Sequence, residues 1–241
     1  MAKGQQAYKR VVGTLMRQIF SKELEPGTKL PPERELARIM GINRTSLRTA
    51  LKQLEALHLL DIRRGDGIYV KDYLKNTGID SFGLLLSNTG KDGLNWEVDR
   101  YLIDEIWEYW IAIEPEMIKL GARRLTPMDL RKFMDMIEEE IRSIHNRDRI
   151  VELELMEQDF IADLTNNTIF LLLSNSSRPL RKKTVEMFIG CIDDDTLRSH
   201  IETKQELLRE LMKGSIDAFD LAERYREVLA SYRELVKKSI F

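Results

Sequence analysis

The chain has 241 residues, 43% apolar, 7% aromatic and 32% charged, with a formal net charge of −2. That length suits two ordinary domains, and the mixture of apolar and charged residues excludes a disordered polyampholyte. No run approaches the roughly 18 uninterrupted apolar residues of a membrane span, and the opening MAKGQQAYKR lacks the apolar segment of a secretory signal, so the expected location is cytoplasmic. The single cysteine, Cys191, has no partner for an internal disulfide or a CxxC site, which excludes disulfide scaffolds and zinc fingers.

The charge is unevenly distributed. Residues 1–74 carry fourteen Lys and Arg against eight Asp and Glu, a net +6, which leaves −8 for residues 75–241. A basic block joined to an acidic remainder suits a polyanion-binding module attached to a domain that does not bind polyanions, unless the asymmetry merely reflects solvated faces.

From Tyr8 to Phe20, Val11, Val12, Leu15, Met16, Ile19 and Phe20 recur at helical spacing, which predicts a helix with one buried stripe. Glu25-Pro26-Gly27 is a turn. Leu30-Pro31-Pro32 is too proline-rich for a helix, and Pro32-Glu33 opens a second helix with Leu36, Ala37 and Met40 inward and Gly41 as its stop. Asn43 is a candidate N-cap for a third helix that buries Leu47, Ala50, Leu51, Leu54 and Leu57. A short helix, a tight turn and a longer helix make a helix-turn-helix. Asn43, Arg44, Thr45, Ser46 and Arg48 lie exposed at the start of the third helix, and none is acidic. Arginine there can bridge O6 and N7 of guanine or hold a phosphate, and the positive helix end favours the anion. Beyond it, Leu59 to Arg64 and Gly67 to Val70 flank Gly65-Asp66 as a two-stranded hairpin with Arg63 and Arg64 near its tip.

The run Leu24-Glu25-Pro26-Gly27-Thr28-Lys29-Leu30-Pro31-Pro32-Glu33-Arg34-Glu35-Leu36-Ala37, then Met40-Gly41-Ile42-Asn43-Arg44-Thr45-Ser46-Leu47-Arg48-Thr49-Ala50-Leu51, resembles the signature of the GntR-type winged-helix transcription regulators. The likeness covers residues 8–70. It implies that Arg34, Arg44 and Arg48 contact double-stranded DNA, that Thr45 and Ser46 add phosphate or base contacts, and that Arg64 with Gly65 enters the minor groove. It also implies a homodimer on a palindromic operator.

Residues 71–95 contain Gly78, Gly83, Gly90 and Gly93 and form a connection around one apolar piece, Phe82 to Leu86. From Trp96 the pattern is helical: Tyr101 to Arg123, Pro127 to His145, Ile150 to Leu164, Ile169 to Leu173, Leu180 to Cys191, Asp194 to Lys213 and Ile216 to Lys238. Such helices make an antiparallel bundle able to enclose a ligand cavity. The fold expected is therefore mainly α, with a winged helix-turn-helix over 1–72, a linker over 73–77 and an all-helical effector-binding and dimerisation domain over 78–241.

Ala112-Ile113-Glu114-Pro115-Glu116, Leu120 to Thr126 and Leu164-Thr165-Asn166-Asn167 resemble the helical effector domain of the FadR-type branch of that family. Many such domains hold a divalent metal through one carboxylate and three histidines and bind organic acids against it. The likeness puts Glu154 at the aspartate position, Gln158 at the first histidine position, and Lys204 and Leu229 at the later ones. With one possible ligand among four, no metal or other cofactor is expected, and His200 reaches such a site only if its helix slides. Lys204 either supplies the missing cation, paired with Glu154 or with an effector's carboxylate, or is a solvated lysine. The family also often has an arginine four residues before Glu114; Trp110 stands there, with Trp107 and Tyr109 beside it, either as core or as the wall of a pocket for a larger, acyl-type effector. The candidate effector residues are Trp110, Glu154, Gln158 and Lys204.

No GxGxxG, GxxxxGK[ST] or GxSxG motif is present. Asp193-Asp194-Asp195 beside Cys191 is the one place for metal-dependent turnover, and helix capping accounts for the same residues. The reading is a bacterial transcription regulator, not an enzyme, whose operator affinity responds to a small organic-acid or acyl-type effector. The alternative is an architectural DNA-binding protein with a filled bundle core.

Overall fold

A computed structural model describes residues 2–81, 83 and 100–240. The chain divides into two compact units, residues 1–97 and 98–241. The expected apolar piece from Phe82 to Leu86 lies outside the described residues except for Gly83.

The first unit contains α1 (Ala2–Phe20), α2 (Glu33–Met40), α3 (Arg44–Ala56), β1 (Leu60–Arg63), β2 (Gly67–Val70) and α4 (Tyr73–Asn76). Helix α1 begins six residues before the Tyr8 at which its apolar stripe starts. Its Val11, Val12, Leu15, Met16 and Ile19 bury against Leu47, Ala50, Leu51 and Leu54 of α3 and Leu36 and Ala37 of α2 in one core. Gly41 ends α2 in the left-handed conformation at φ 63°, where a side chain would be strained. Asn43 Oδ1 accepts from the Ser46 amide at 2.8 Å and so starts α3 after a turn of three residues, 41–43. The strands pair antiparallel with Ile62 opposite Ile68, and Gly65 turns the hairpin at φ 78°. Residues 27–30 lie along the other side of β2: the Leu30 amide donates to the Ile68 carbonyl and the Val70 amide to the Thr28 carbonyl. Periodicity did not show this third edge, because Pro26 and Pro31 mask so short a stretch of strand. In the segment expected as linker, α4 forms instead, and Tyr73 packs edge-on against Phe20 at 4.6 Å between ring centroids.

The second unit is all helical among the described residues: α5 (Arg100–Ala122), α6 (Pro127–Arg142), α7 (Arg147–Leu164), α8 (Thr168–Cys191), α9 (Asp194–Lys213) and α10 (Ala218–Ile240). Capping explains several boundaries. Thr126 and Asp129 form a reciprocal capping box ahead of Pro127, Asn146 caps α7, and Asp193 accepts from the Thr196 amide at the start of α9. The sequence predicts two helices over 169–173 and 180–191, but α8 is continuous through Pro179. Ser174, Ser177, Leu180, Arg181, Thr184, Val185 and Phe188 are buried at unbroken helical spacing on both sides of the proline, so packing of that stripe outweighs the one donor Pro179 lacks.

Proline also interrupts α5. Pro115 has no N–H for the Ile111 carbonyl, which instead accepts from Arg226 Nη1 of α10 at 2.6 Å. Where α5 passes α7, a Cβ on Gly121 would stand 3.1 Å from Leu164 Cβ, so glycine permits the close approach. Among the described residues, no helix is long and apolar enough to cross a membrane.

Candidate nucleic-acid interface and bundle site

The three-residue turn between α2 and α3 leaves the start of α3 exposed. Arg34 on α2, Arg44 on α3 and Arg64 on the wing are exposed and make no hydrogen bond or ion pair among the described residues. Arg48 Nε donates to Glu33 Oε2 at 2.7 Å, which joins α3 to the start of α2. Thr45 is exposed and Ser46 half-buried. Asn43 is committed to its cap through Oδ1, so its acceptor is turned toward the backbone.

At the wing, Asp66 Oδ1 accepts from Lys29 Nζ and from the Tyr69 hydroxyl, each at 2.9 Å. The Arg63 guanidinium lies 4.5 Å from the Tyr69 ring centroid, within cation–π range. Lys29 thus ties the wing turn to the 27–30 segment and Tyr69 braces the same carboxylate from β2, although neither is a sequence candidate. The hydrogen bonds from Lys29 and Tyr69 lower the Asp66 pKa.

Inside the bundle, α6, α7 and α9 bring charged side chains into the apolar interior. Lys204 Nζ lies 2.6 Å from Glu140 Oε2, 2.9 Å from Glu154 Oε1 and 2.8 Å from Glu157 Oε2. The contacts to Glu154 and Glu157 have hydrogen-bond geometry; that to Glu140 is an ion contact without it. His200 Nε2 is 2.6 Å from the same Glu154 oxygen, and His200 Nδ1 meets the Tyr232 hydroxyl. Burial lowers the His200 pKa against the pull of Glu154. A neutral ring fits this chain, with Tyr232 O–H donating to Nδ1 and Nε2–H donating to Glu154.

The carboxylates differ sharply. Burial pushes Glu140 up to about 10 and Glu157 up to about 7, with Lys204 opposing both shifts. For Glu154 burial also acts upward, but Lys204 and His200 outweigh it and hold the pKa below the usual carboxylate range. Burial likewise acts to deprotonate Lys204, and Glu140, Glu154 and Glu157 reverse the sign, raising its pKa well above the ordinary value. One buried ammonium therefore faces one firmly ionised carboxylate and two that favour retaining protons at neutral pH.

Two cavities adjoin this cluster. The first has Glu154, Glu157, Gln158, Lys204 and Tyr225 at its polar end and walls that include Ile118, Phe133, Ile161, Leu207 and Leu221. The second is lined by Trp107, Trp110, Glu114, Arg181, His200 and Leu229, and it also touches Glu154 and Gln158. The sequence candidates Glu154, Gln158 and Lys204 therefore meet at the first cavity. Trp110 belongs to the second and to the core at once, since it is buried and its Nε1 has no acceptor. Arg181, 2% exposed, donates to Gln158 Oε1 at 3.1 Å, Asp159 Oδ1 at 2.5 Å and the Ser174 carbonyl at 3.0 Å.

Lys204 is not a solvated lysine: it is 8% exposed. The four positions that hold a metal in related domains carry Glu154, Gln158, Lys204 and Leu229, and this donor set does not fit a divalent ion. Oxygens of Glu140, Glu154 and Glu157 do lie within 4.8 Å of one another, but the Lys204 ammonium stands among them. His145 is exposed and pairs with Asp194 at the bundle surface at 2.9 Å. Asp193 caps α9 and Asp194 also pairs with Arg147, so helix capping and surface pairing account for these acidic residues.

Sequence reasoning missed Glu140, Glu157, Arg181 and Tyr232, and it admitted His200 only through a slide of its helix, whereas His200 contacts Glu154 directly. A signal was present. Glu140 follows Ile137 by three residues and precedes Ile144 by four, Glu157 stands between Leu153 and Ile161, and His200 between Leu197 and Lys204, all on inward stripes. Polar residues at apolar-face positions on three helices are the pattern that marks a buried polar cluster.

An exposed recognition helix entered through a short turn, a basic wing and a separate helical unit define a DNA-binding transcription regulator. Residues 7–70 match the family described as "Bacterial regulatory proteins, gntR family". The chain carries a GntR-family DNA-binding domain over those residues. It is 26% identical over 170 residues to the HTH-type transcriptional regulator Mce2R of Mycobacterium tuberculosis (strain CDC 1551 / Oshkosh), covering 69% of this chain and 67% of that one. It is 23% identical over 214 residues to the fatty acid metabolism regulator protein of Shewanella baltica (strain OS223), covering 88% and 84%. Among solved structures, E. coli McbR/YncC shares the fold with a TM-score of 0.53 at 19% identity, covering 99% of this chain and 98% of that one.

Proposed function

We propose that this regulator binds a palindromic operator as a cytoplasmic homodimer through Arg34, Asn43, Arg44, Thr45, Ser46, Arg48, Arg64 and Gly65, and that a small molecule in the helical unit controls its affinity. Residues 1–72 act as the DNA-binding module, 73–77 as the connection and 78–241 as the sensing and dimerising module. The observation that carries the effector reading is the buried group Glu140, Glu154, Glu157, Lys204 and His200 beside an apolar cavity. Burying several charges costs free energy that an apolar core of the same volume avoids, so their retention fits a site under functional selection. A filled core, which the architectural alternative requires, would leave no such cavity.

Effector and operator affinities are then coupled reciprocally, whichever sign the regulation takes. The test is selection of an operator from random duplexes, followed by anisotropy titration with and without the small-molecule fraction of a bacterial extract. The expected result is a preferred palindrome bound two-to-one and an affinity shift of at least fivefold with the extract. Sequence-independent binding that the extract leaves unchanged would establish the architectural reading.

A further inference from the structure

We propose that the cavity beside Lys204 binds an apolar compound through a positively charged amine head seated against Glu157, and that it disfavours organic acids. This rests on the reading of the helical unit as an effector domain and names the class of ligand.

An ammonium has three N–H donors, and those of Lys204 face Glu140, Glu154 and Glu157 at 2.6–2.9 Å. An acid head entering the cavity therefore finds Lys204, the one cation of the lining among the described residues, hydrogen-bonded to Glu154 and Glu157 and held in ion contact with Glu140. It meets the carboxylates of Glu154 and Glu157 instead. Arg181, the buried cation of the neighbouring cavity, gives its terminal nitrogens to Gln158, Asp159 and the Ser174 carbonyl and keeps Nε as its one donor nitrogen without an acceptor among the described residues.

Acceptors, by contrast, are in excess. Glu157 is 3% exposed, lines the cavity, and its Oε1 accepts no hydrogen bond from a protein N–H or hydroxyl. Both oxygens of Glu140 are in the same condition, and one proton shared between Glu140 and Glu157 satisfies only part of this deficit. Lys204 balances the ionised Glu154, and the unmet acceptor that faces the cavity is Glu157 Oε1. A primary ammonium supplies the donor there and the charge that would hold Glu157 ionised. Because Lys204 already stands among the carboxylates, the second cation has to approach from the cavity side, where Ile118, Leu125, Phe133, Ile161, Leu207 and Leu221 would cover an alkyl or aryl body.

The test is isothermal titration of the full chain with n-octylamine, n-octanol and octanoate at pH 7.5. Octylamine is expected to bind at least tenfold tighter than either of the others. Glu157→Gln is expected to weaken octylamine at least tenfold while leaving octanol unchanged. Leu125→Trp, which adds bulk to the half-buried apolar wall, is expected to weaken octylamine without loss of folding. If Glu157→Gln does not fold, the three-ligand comparison and Leu125→Trp still decide. Octanoate binding as tightly as octylamine overturns the proposal, as does amine affinity unaffected by both folded variants, or no binding by any of the three. The titration contains no DNA, so it fails separately from the effector reading: octanoate binding that also shifts operator affinity would remove the amine head and keep the sensor.

Discussion

Lys204 Nζ lies 2.6 Å from Glu140 Oε2 although Glu140 is wholly buried and Lys204 nearly so. The pair ties α9 to α6 across the interior, and Glu154 and Glu157 tie the same nitrogen to α7. Lys204→Met would leave the ionised Glu154 with His200 as its remaining charge-stabilising partner and would raise the pKa of all three carboxylates. The expected loss is about 3–5 kcal/mol, the usual cost of breaking a buried pair from one side. Urea denaturation of the variant measures it. A triple change that adds Glu140→Gln and Glu157→Gln should recover part of the loss.

Arg226 is expected to contribute because Pro115 requires it. The Ile111 carbonyl has no helical donor, and Arg226 Nη1 fills the position at 2.6 Å. Arg226→Ala should cost about 1–3 kcal/mol, the range for a partly buried acceptor left unmade. In a Pro115→Ala background, where the helix donor returns, the same change should cost less, and a double-mutant cycle by denaturant melts reads the difference.

Arg48 is tied to Glu33, but both side chains are partly exposed, so the pair contributes little to stability. Arg48→Ala should leave the denaturation midpoint nearly unchanged and weaken operator binding by about 1–3 kcal/mol if the guanidinium reads a base. Anisotropy against operators altered one base pair at a time separates base reading, which relaxes specificity at one position, from phosphate contact, which weakens all sequences alike.

Glu114 should make stability depend on pH. Burial raises its pKa to about 7, with Arg181 opposing. The folded state therefore holds a proton that the unfolded state releases near pH 4.5, so this group's contribution falls as pH rises from there and levels off above 7. The whole effect is on the order of 3 kcal/mol at 1.36 kcal/mol per pKa unit. Glu114→Gln should flatten that part of the profile and gain relative stability at pH 8, measured by denaturant melts between pH 5 and 8. Glu154 has the opposite sign, its stabilisation being present above its unfolded value and lost on acidification.

Local chemistry made the DNA-binding unit legible. Gly41, Asn43 and the stripe Leu47, Ala50, Leu51 and Leu54 specify where α2 stops and α3 begins, and these signals act within a few residues of themselves. Lys29 escaped because its bond to Asp66 joins positions 37 residues apart and has no periodic trace, and Tyr69, three residues from Asp66, escaped because strand alternation does not reveal a hydroxyl's partner. In the bundle, Glu154, Gln158 and Lys204 were singled out by a resemblance, while periodicity on each helix was read for its apolar members alone.

The sequence by itself determined the winged helix-turn-helix and the helical character of the second unit, because caps, turns and apolar spacing are properties of short segments, and its motif over residues 24–51 carried the resemblance to the GntR family. Tertiary structure decided that α8 runs through Pro179, that Arg226 replaces the donor lost at Pro115, and that Glu140 and Glu157 join Glu154 around Lys204. Those outcomes depend on which helix faces which across the core. A buried charge takes its character from partners that packing supplies from other helices.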